Sequence, residues 1–474
     1  MTTIGATPAA ISTSPIANTR QFMKRARSSA ATNDCCCGVT LNDPRVLATS
    51  VTESDAEQRA YRRVTWRLIP FLFLCYVVAY LDRVNVGFAK LQMLADLRMS
   101  ETAYGIGAGI FFIGYFLFEV PSNLILHRVG ARRWIARIMI TWGVLSAATM
   151  FVTSATSFYA IRFALGLAEA GFFPGIIFYL TQWYPARMRA RIVALFMTAI
   201  ALSGVVGGPL SGWILGALAG VNGWAGWQWL FLLEGLPSVV MGIAVLFYLD
   251  DSIEQAAWLA PEERTLLHRN LQVEQGAGAH LSVGATLRDT RVLLLSALYF
   301  AFVIGLYGIG FWLPQLIRSL GVLDPWDVGK LSAIPYGVAA VAMVLIGRSS
   351  DRLRERRWHL VGASLTGAIG LVAAGVYADA PVAGMIALTV ATVGILSVLP
   401  LFWTLPTAFL HGVSAAAGIA IINSIGNLAG FLSPYMIGAI TDATGRATYG
   451  VYAMAGFMTL GALLAIPATK QRAA

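Results

Sequence analysis

Two stretches of the sequence repeat each other: NLILHRVGARRW, Asn123–Trp134, and GRSSDRLRERRW, Gly347–Trp358. At an offset of 224 residues their His-Arg and Asp-Arg pairs coincide, and so do their Arg-Arg-Trp triplets. Further along the chain Pro209 matches Pro434, 225 residues later, so the similarity extends beyond one loop. The sequence therefore contains an internal repeat, which predicts two similar halves related by a pseudo-two-fold axis along the membrane normal.

The composition indicates a protein that is embedded in a lipid bilayer. Of its 474 residues, 57% are hydrophobic and only 12% are charged, whereas about a quarter of the residues of an ordinary soluble domain are charged. The formal net charge is +10, but the basic residues form short clusters between apolar segments. That distribution is typical of membrane topology rather than of nucleic-acid binding. We therefore predict a multi-pass membrane protein and no nucleic-acid partner.

Apolar segments that can cross roughly 30 Å of hydrocarbon, at about 20 residues each, recur along the chain. The predicted spans are 67–89, 103–126, 133–153, 157–180, 191–219, 227–249, 292–319, 326–347, 358–377, 382–410, 412–440 and 448–468. The sequence thus predicts an all-α membrane protein with 12 transmembrane helices in two pseudo-symmetric six-helix bundles. The predicted parts are a disordered cytoplasmic tail (1–60), an N-terminal bundle (61–249), a cytoplasmic linker (250–291), a C-terminal bundle (292–468) and a short cytoplasmic tail (469–474).

The orientation follows from the short loops. Arginines gather after span 2, after span 4 and after span 8, whereas the loops between spans 3 and 4 and between spans 5 and 6 contain no Lys or Arg. Because cytoplasmic loops carry an excess of positive charge, both termini are predicted to be cytoplasmic. We expect the protein in the inner (plasma) membrane, with the lipid bilayer as its surroundings.

The sequence shows no pattern that is typical of a cofactor or metal site. Cys35, Cys36 and Cys37 are consecutive in the polar tail and Cys75 lies in span 1, so neither a disulfide framework nor a zinc spacing is present. The tail also lacks the apolar core of a secretory signal; a transit peptide, or a real start at Met23 or later, stays open. Without a Walker motif, transport is not expected to be driven by ATP hydrolysis on this chain. We predict no metal, no cofactor and no enzymatic activity.

Two sets of motifs resemble a known family. The loop GRSSDRLRERR, Gly347–Arg357, resembles the G-x3-D-R signature between spans 8 and 9 of the major facilitator superfamily; the first-half copy has Asn123 and His127 in place of the glycine and the aspartate. YLDRVNVGFAKLQ, GIFFIGYFLFEVPSNLILHRVGARRW and RFALGLAEAGFFPGIIFYLTQWYP are similar to patterns of its anion:cation symporter family of bacterial organic-anion transporters. The resemblance covers Trp66 to Pro467 and implies a transporter that works by alternating access.

Four charged residues in the spans require an explanation. Arg162 and Glu169 lie seven residues apart in span 4, which places them on one helix face about 10 Å apart. A charge at the bilayer centre costs at least about 2.5–3.5 kcal/mol, so this face is expected to point at partners or into a polar cavity. Asp82 and Arg83 in span 1 are the expected partners. The alternative is a static ion-pair cluster, or an Asp82-Arg83 pair at the headgroup level.

The resemblance assigns roles to these residues. It implies that Arg83 and Arg162 bind the substrate anion and that Asp82 and Glu169 take up the coupled protons. A guanidinium suits the first role because it grips a carboxylate through two parallel hydrogen bonds. Further residues are expected to form the substrate pocket: Tyr80, Tyr115, Asn423 and Asn427. The loop signatures are expected to act as gates, through Arg128, Asp351 and Arg352.

These observations predict a secondary active transporter that imports a small organic anion by proton symport. The expected substrate is a hydroxy dicarboxylate such as tartrate, or an aromatic carboxylate, and we expect the protein to function as a monomer. Uptake of sugar acids is one alternative. Proton-coupled efflux of drugs or metabolites is another, because Gly204-x3-Gly208-Pro209-x2-Gly212 in span 5 resembles the antiporter motif of drug exporters, although Trp213 stands where that motif ends in glycine.

Overall fold

The computed structural model describes residues 44–275, 288–409 and 413–469, and all regular structure in these ranges is helical. Its long helices are Pro44–Asp96, Glu101–Val129, Ala131–Ala148, Ala155–Glu169, Phe172–Thr181, Ala186–Ala217, Gly226–Tyr248, Pro261–Gln275, Thr290–Ser319, Pro325–Leu353, Arg357–Val376, Pro381–Phe409, Val413–Asn427, Ala429–Thr444 and Thr448–Ala468. Most of the predicted N-terminal tail, with Cys35, Cys36 and Cys37, lies outside the described residues.

The 12 predicted spans are confirmed within the described residues, by length and composition. They are Asp55–Asp96, Glu101–Val129, Ala131–Phe151, Ala155–Thr181, Leu195–Ala217, Gly226–Tyr248, Thr290–Ser319, Pro325–Leu353, Arg357–Val376, Pro381–Pro406, Gly418–Thr444 and Thr448–Ala468, numbered here 1 to 12. Spans 4 and 11 each consist of two helical segments. The division into two bundles at residues 250–291 stays a prediction.

The spans are apolar on the outside as well as inside. On span 2, Leu117, Val120 and Leu124 have more than half of their surface exposed, whereas Tyr115 and Glu119 on the same helix are buried. A helix in a bilayer satisfies its own backbone groups and presents apolar side chains to lipid. On span 2, this arrangement directs Tyr115 and Glu119 toward the protein interior.

Spans 2 and 11 are in close backbone contact at the end of the molecule that holds the connections 1–2 and 11–12. A Cβ atom on Gly105 would lie 2.4 Å from the carbonyl oxygen of Pro434. Beside this contact, the carboxylate of Asp442 accepts hydrogen bonds from the backbone N–H groups of Glu101 (3.2 Å) and Thr102 (2.8 Å). Small residues permit this approach, and the carboxylate satisfies donors at the start of span 2 that have no partner within the helix.

Spans 5 and 8 meet in the same way, through the glycine-rich run of span 5. A Cβ atom on Gly208 would lie 2.7 Å from the carbonyl oxygen of Gly329, and one on Gly212 would lie 2.5 Å from that of Pro325. Gly204 packs against the ring of Tyr336. The two halves of the chain are therefore in direct contact at the end that holds the connections 1–2, 5–6, 7–8 and 11–12.

The connection between spans 6 and 7 begins against the other end of the first half. Tyr179 donates a hydrogen bond to the backbone carbonyl of Asp250 (2.8 Å), and Asp251 accepts one from the backbone N–H of Arg132 (2.8 Å). Arg63 forms a salt bridge with Glu263 (2.8 Å) on the helix Pro261–Gln275. These contacts fix the start of the connection to spans 1, 3 and 4.

Candidate functional site

A polar cavity lies between residues of spans 1, 2, 4, 5, 7, 10 and 11. Its volume is about 30 Å³, which is room for one or two water molecules. It is lined by Tyr76, Tyr80, Arg83, Tyr115, Phe173, Met197, Ile200, Tyr299, Leu306, Tyr307, Leu399, Asn423 and Asn427. Because the wall combines one fixed cation with phenol and amide groups, the cavity is suited to a small anion that carries hydrogen-bonding groups.

Arg83 is the cation of this cavity. One of its terminal nitrogens forms a salt bridge with Glu169, and the other donates a hydrogen bond to the hydroxyl of Tyr307 (3.0 Å). Its guanidinium also lies 5.4 Å from the ring centroid of Phe111 and 5.5 Å from that of Tyr115. The side chain is buried, and its Nε has no hydrogen-bond partner among the described residues. Arg83 thus joins spans 1, 2, 4 and 7 at one point.

Glu169 is placed by an interruption of span 4. It ends the helix Ala155–Glu169; Ala170 leaves helical geometry, and Gly171 takes a φ of 87° before the helix Phe172–Thr181 begins. A Cβ atom on Gly171 would lie 2.3 Å from the hydroxyl of Ser122, so glycine is required both by the backbone conformation and by the space. Broken helices occur at membrane depth where protein surrounds them. The carboxylate therefore stands at a bend, beside Arg83.

Arg162 lies about two turns before Glu169 on the helix Ala155–Glu169 and is completely buried. One terminal nitrogen donates to the backbone carbonyl of Ala108 (3.3 Å), and the guanidinium lies 5.0 Å from the ring centroid of Phe111. Nε and the other terminal nitrogen have no hydrogen-bond partner among the described residues. Phe111 is therefore shared by Arg83 and Arg162, and Arg162 retains unused donors in the interior.

Asp82 is directed away from its neighbour Arg83. Its carboxylate accepts hydrogen bonds from the indole N–H of Trp142 (2.7 Å) and the hydroxyl of Ser146, both on span 3, and from the amide of Asn85 (3.2 Å). These recorded partners are all uncharged. The structure thus brings Arg83 and Glu169 together, and it separates Asp82 from that pair into a polar contact between spans 1 and 3.

The remaining predicted pocket residues line the cavity. Tyr80 and Tyr115 lie on the side of the first half, and Asn423 and Asn427 lie on span 11. The amide of Asn423 donates a hydrogen bond to Glu119 of span 2 (2.8 Å). The sequence reasoning missed Glu119, although it is a charge in an apolar span and the rule that singled out Asp82 could have found it.

Two more buried charges were also missed. Glu234 in span 6 accepts a hydrogen bond from the hydroxyl of Ser211 in span 5 (2.6 Å), and its second oxygen has no partner among the described residues. Lys90 in span 1 forms a salt bridge with Glu101 (2.5 Å) and lies 4.1 Å from the ring centroid of Trp312. Lys90 thus belongs to the end of the molecule that holds the connections 1–2 and 11–12, and Glu234 to the interior of the first half.

The predicted gating residues lie at the opposite end. Asp351 forms a salt bridge with Arg356, and Arg356 also donates to the hydroxyl of Ser350 (2.7 Å). Arg128 and Arg352 are exposed. In the first-half copy the ring of His127, which replaces the aspartate, packs on Phe178 with 3.9 Å between ring centroids. The repeated position therefore makes an ionic contact in the second loop and an aromatic contact in the first, and the gating role stays a prediction.

Across residues 44–275, 288–409 and 413–469, no group of three or more His, Cys, Asp or Glu side chains could hold a metal ion. Cys75 is a free, buried thiol.

Twelve apolar spans and an interior polar cavity lined by a buried arginine, which pairs with a buried glutamate, define a multi-pass membrane transporter. The chain belongs to the Major Facilitator Superfamily, whose family model matches residues 72–434. Members of this family are secondary transporters, not enzymes, and they use no cofactor.

Three relatives illustrate the similarity. The chain is 53% identical over 420 residues to "Putative tartrate transporter" of Agrobacterium vitis, covering 88% of this chain and 92% of the relative. It is 48% identical to "Putative metabolite transport protein NicT" of Pseudomonas putida, covering 86% and 93%. It is 43% identical to "Quinolone resistance transporter" of Acinetobacter baumannii, covering 86% and 95%.

A solved structure supports the fold. The bacterial homologue of the human lysosomal transporter Spinster, in its inward-facing and occupied conformation, superimposes with a TM-score of 0.68 at 16% sequence identity. The match covers 86% of this chain and 98% of that one. At this identity the likeness establishes the architecture alone.

Proposed function

We propose that this protein imports a small organic anion together with protons, across an inner membrane in which both of its termini are cytoplasmic. The observation that carries the proposal is the ion pair that Glu169 forms with Arg83, a residue of the cavity wall. The proposed substrate is a hydroxy dicarboxylate such as tartrate, in keeping with the names of two relatives that are 53% and 52% identical to this chain. An aromatic carboxylate or a sugar acid would use the same groups.

Anion recognition rests on Arg83. Its guanidinium can form two parallel hydrogen bonds to a carboxylate, which fixes the orientation of the ligand as well as its charge. The hydroxyls of Tyr80, Tyr115 and Tyr307 and the amides of Asn423 and Asn427 supply groups for the hydroxyls of the substrate. Arg162 adds unused buried donors beside Phe111.

Proton coupling follows from the partner of Arg83. A substrate carboxylate that engages Arg83 competes with Glu169 for the same guanidinium. Removing one member of a buried ion pair leaves an uncompensated charge, at a cost of about 3–5 kcal/mol. A proton on Glu169 removes that charge, so substrate and proton favour each other's binding. Re-formation of the ion pair after release stabilises the empty transporter.

Substrate loading requires a larger cavity than the one in this structure. At about 30 Å³ it does not accommodate a dicarboxylate, so the substrate-loaded state needs a more open arrangement of the surrounding spans. The glycine contacts between spans 2 and 11 and between spans 5 and 8 close one end of the molecule. We assign that end to the periplasmic side, because the arginine-rich loops lie at the other end.

Uptake into proteoliposomes tests the proposal. The measurement is uptake of radiolabelled tartrate, phthalate, hydroxyphenylacetate and sugar acids under an inward proton gradient, with and without protonophore. Gradient-driven uptake of one acid that protonophore abolishes is expected for the wild type, with exchange but no accumulation for Glu169→Gln. The matched control is Glu262→Gln, an exposed carboxylate on the helix Pro261–Gln275. Accumulation by Glu169→Gln equal to that of the wild type would contradict the coupling role.

A second candidate function is proton-coupled efflux, because one relative is named for quinolone resistance. Fixed buried arginines favour anionic ligands over lipophilic cations, which weighs against a general exporter of cationic drugs. The two functions differ in one measurement, since an exporter accumulates drug in inverted vesicles when the lumen is acidic. Accumulation of a quinolone there, without carboxylate uptake in the opposite orientation, would support efflux.

A further inference from the structure

Glu119 is a buried carboxylate whose partners lie on another part of the chain. The residue sits on span 2 and is 1% exposed. One carboxylate oxygen accepts a hydrogen bond from the amide of Asn423 (2.8 Å), and the other accepts one from the hydroxyl of Ser424 (2.6 Å), both on span 11. Glu119 therefore joins span 2 of the first half to span 11 of the second, in the interior of the protein.

The electrostatic surroundings of Glu119 are sparse. Among the described residues, Arg83 on span 1 is a cation that acts on Glu119, and Tyr115 lies one turn earlier on the same helix. The groups that face it from span 11 are the neutral donors of Asn423 and Ser424. Two short hydrogen bonds from neutral groups thus compensate the removal of this carboxylate from water.

One of those donors also belongs to the candidate substrate site. Asn423 lines the central cavity together with Arg83. In this structure both residues bind carboxylates of the protein. Arg83 forms a salt bridge with Glu169, and Asn423 donates a hydrogen bond to Glu119. Each glutamate is bonded to a group that a carboxylate ligand would need.

We propose that Glu119 is an internal stand-in for a substrate carboxylate: it holds Asn423 and Ser424 while the transporter is empty and releases them when the ligand binds. The inference rests on the proposed function and sharpens its substrate class. A ligand with two carboxylates replaces both glutamates, whereas a monocarboxylate replaces Glu169 at Arg83 and leaves Glu119 in place. Release of Asn423 also breaks the polar contact between spans 2 and 11, so ligand binding loosens the two halves of the chain.

A double-mutant cycle without any ligand tests the contact. Apparent Tm values are measured for the purified full-length protein and for Glu119→Ala, Asn423→Ala and the double variant. The expected result is that the double variant loses less than the sum of the two single losses, because both single variants remove the hydrogen bond between Glu119 and Asn423. The control cycle pairs Asn423→Ala with Glu234→Ala, a buried carboxylate bonded inside the first half, and should be additive. Additive losses for Glu119 and Asn423 would overturn the inference. If the alanine variants do not fold, Glu119→Gln and Ser424→Ala replace them.

Ligand binding tests the stand-in role. Glu119→Gln keeps the shape of the side chain but weakens the competition for Asn423, because hydrogen bonds to a charged acceptor are stronger than those to an amide. The Kd of L-tartrate is therefore expected to fall roughly three- to tenfold, while the Kd of a monocarboxylate stays unchanged. A Kd for tartrate that is unchanged or higher, in a wild type that binds tartrate, would overturn this inference alone. A wild type that binds none of the carboxylates would overturn the proposed function, and this inference with it.

Discussion

Arg83 and Glu169 are paired across 86 positions of sequence, and their ion pair joins span 1 to the bend of span 4. Arg83 also donates a hydrogen bond to Tyr307 of span 7, so its guanidinium lies where the two halves of the chain meet. The next residue along, Asp82, is bound by span 3. Neighbouring charges in one motif therefore have separate surroundings, and their substitution should have separate consequences.

Replacing Arg83 should abolish high-affinity anion binding. Arg83→Gln leaves Glu169 without its cation and removes the guanidinium, a change of about 3–5 kcal/mol for a buried pair, or at least about a hundredfold in Kd. Arg83→Lys keeps the charge but cannot offer two parallel hydrogen bonds, so its Kd should lie between that of the wild type and that of Arg83→Gln. Isothermal titration with the transported acid checks this, with the exposed Arg63→Lys as control. Equal affinity of Arg83→Gln and wild type would exclude the residue from the site.

Tyr307→Phe should have a smaller effect. The change removes the hydroxyl that accepts a hydrogen bond from Arg83 but leaves the ring and the ion pair in place. Loss of one hydrogen bond predicts a Kd raised about three- to tenfold, with the proton dependence of uptake retained. Initial uptake rates over a range of substrate concentrations measure both quantities. Loss of proton dependence in this variant would mean that Tyr307 acts in coupling.

Enlarging Gly208 should block transport without unfolding the protein. A Cβ atom at this position meets the carbonyl oxygen of Gly329 at 2.7 Å, so Gly208→Leu keeps spans 5 and 8 apart and prevents the closed end from forming. The control is Gly216→Leu on the same span, where a Cβ atom has no neighbour within 4 Å. Uptake rates normalised to monodisperse protein measure the effect. Full activity of Gly208→Leu would show that this contact is dispensable.

Glu355 should stabilise the loop between spans 8 and 9 in a pH-dependent way. Burial alone would raise the pKa of Glu355, but hydrogen bonds from Trp358 and His359 outweigh it and lower that pKa below its ordinary value. The carboxylate accepts from the backbone N–H groups of Trp358 (2.7 Å) and His359 (3.2 Å) at the start of span 9. A carboxylate with a lowered pKa contributes stability above its unfolded pKa and loses it as the pH falls through the folded pKa.

The corresponding variant is Glu355→Gln. At neutral pH its free energy of unfolding should be lower by about 1 kcal/mol, as for the loss of a helix cap. The difference from the wild type should shrink as the pH is lowered into the acid range, because the wild type then loses the same charge. Apparent Tm values at several pH values test this, with Glu262→Gln as control. A difference that is independent of pH would refute an ionic role for Glu355.

Much of the fold could be predicted from the sequence because hydropathy and the spacing of arginine clusters determine where spans begin and end. The bend in span 4 could not be predicted in this way, since 157–180 is apolar throughout apart from its charges. Gly171 and Pro174 mark the position of the bend, but its geometry depends on Ser122 of span 2. Hydropathy therefore located the span but not the break within it.

The candidate site was predictable in part. Arg83 and Glu169 could be expected to meet because both are buried charges of opposite sign. The direction of Asp82 depends on the rotation of span 1, which packing against Trp142 and Ser146 fixes, and the sequence carries no signal for that contact. Glu119 could have been predicted by the same rule, because it is the only charged residue in the predicted span 103–126.

The break after Glu169 gives span 4 a joint at the point where the charge is held. The segments Ala155–Glu169 and Phe172–Thr181 are separate helices, so a rotation of one need not be copied by the other. When Glu169 leaves Arg83, the backbone that moves with it is the end of the first segment, and the adjoining segment carries Phe173, which contacts Trp403 of span 10. Neutralisation of Glu169 can thus shift the first segment of span 4 relative to the second, and the second segment transmits the shift to span 10 in the opposite half of the molecule.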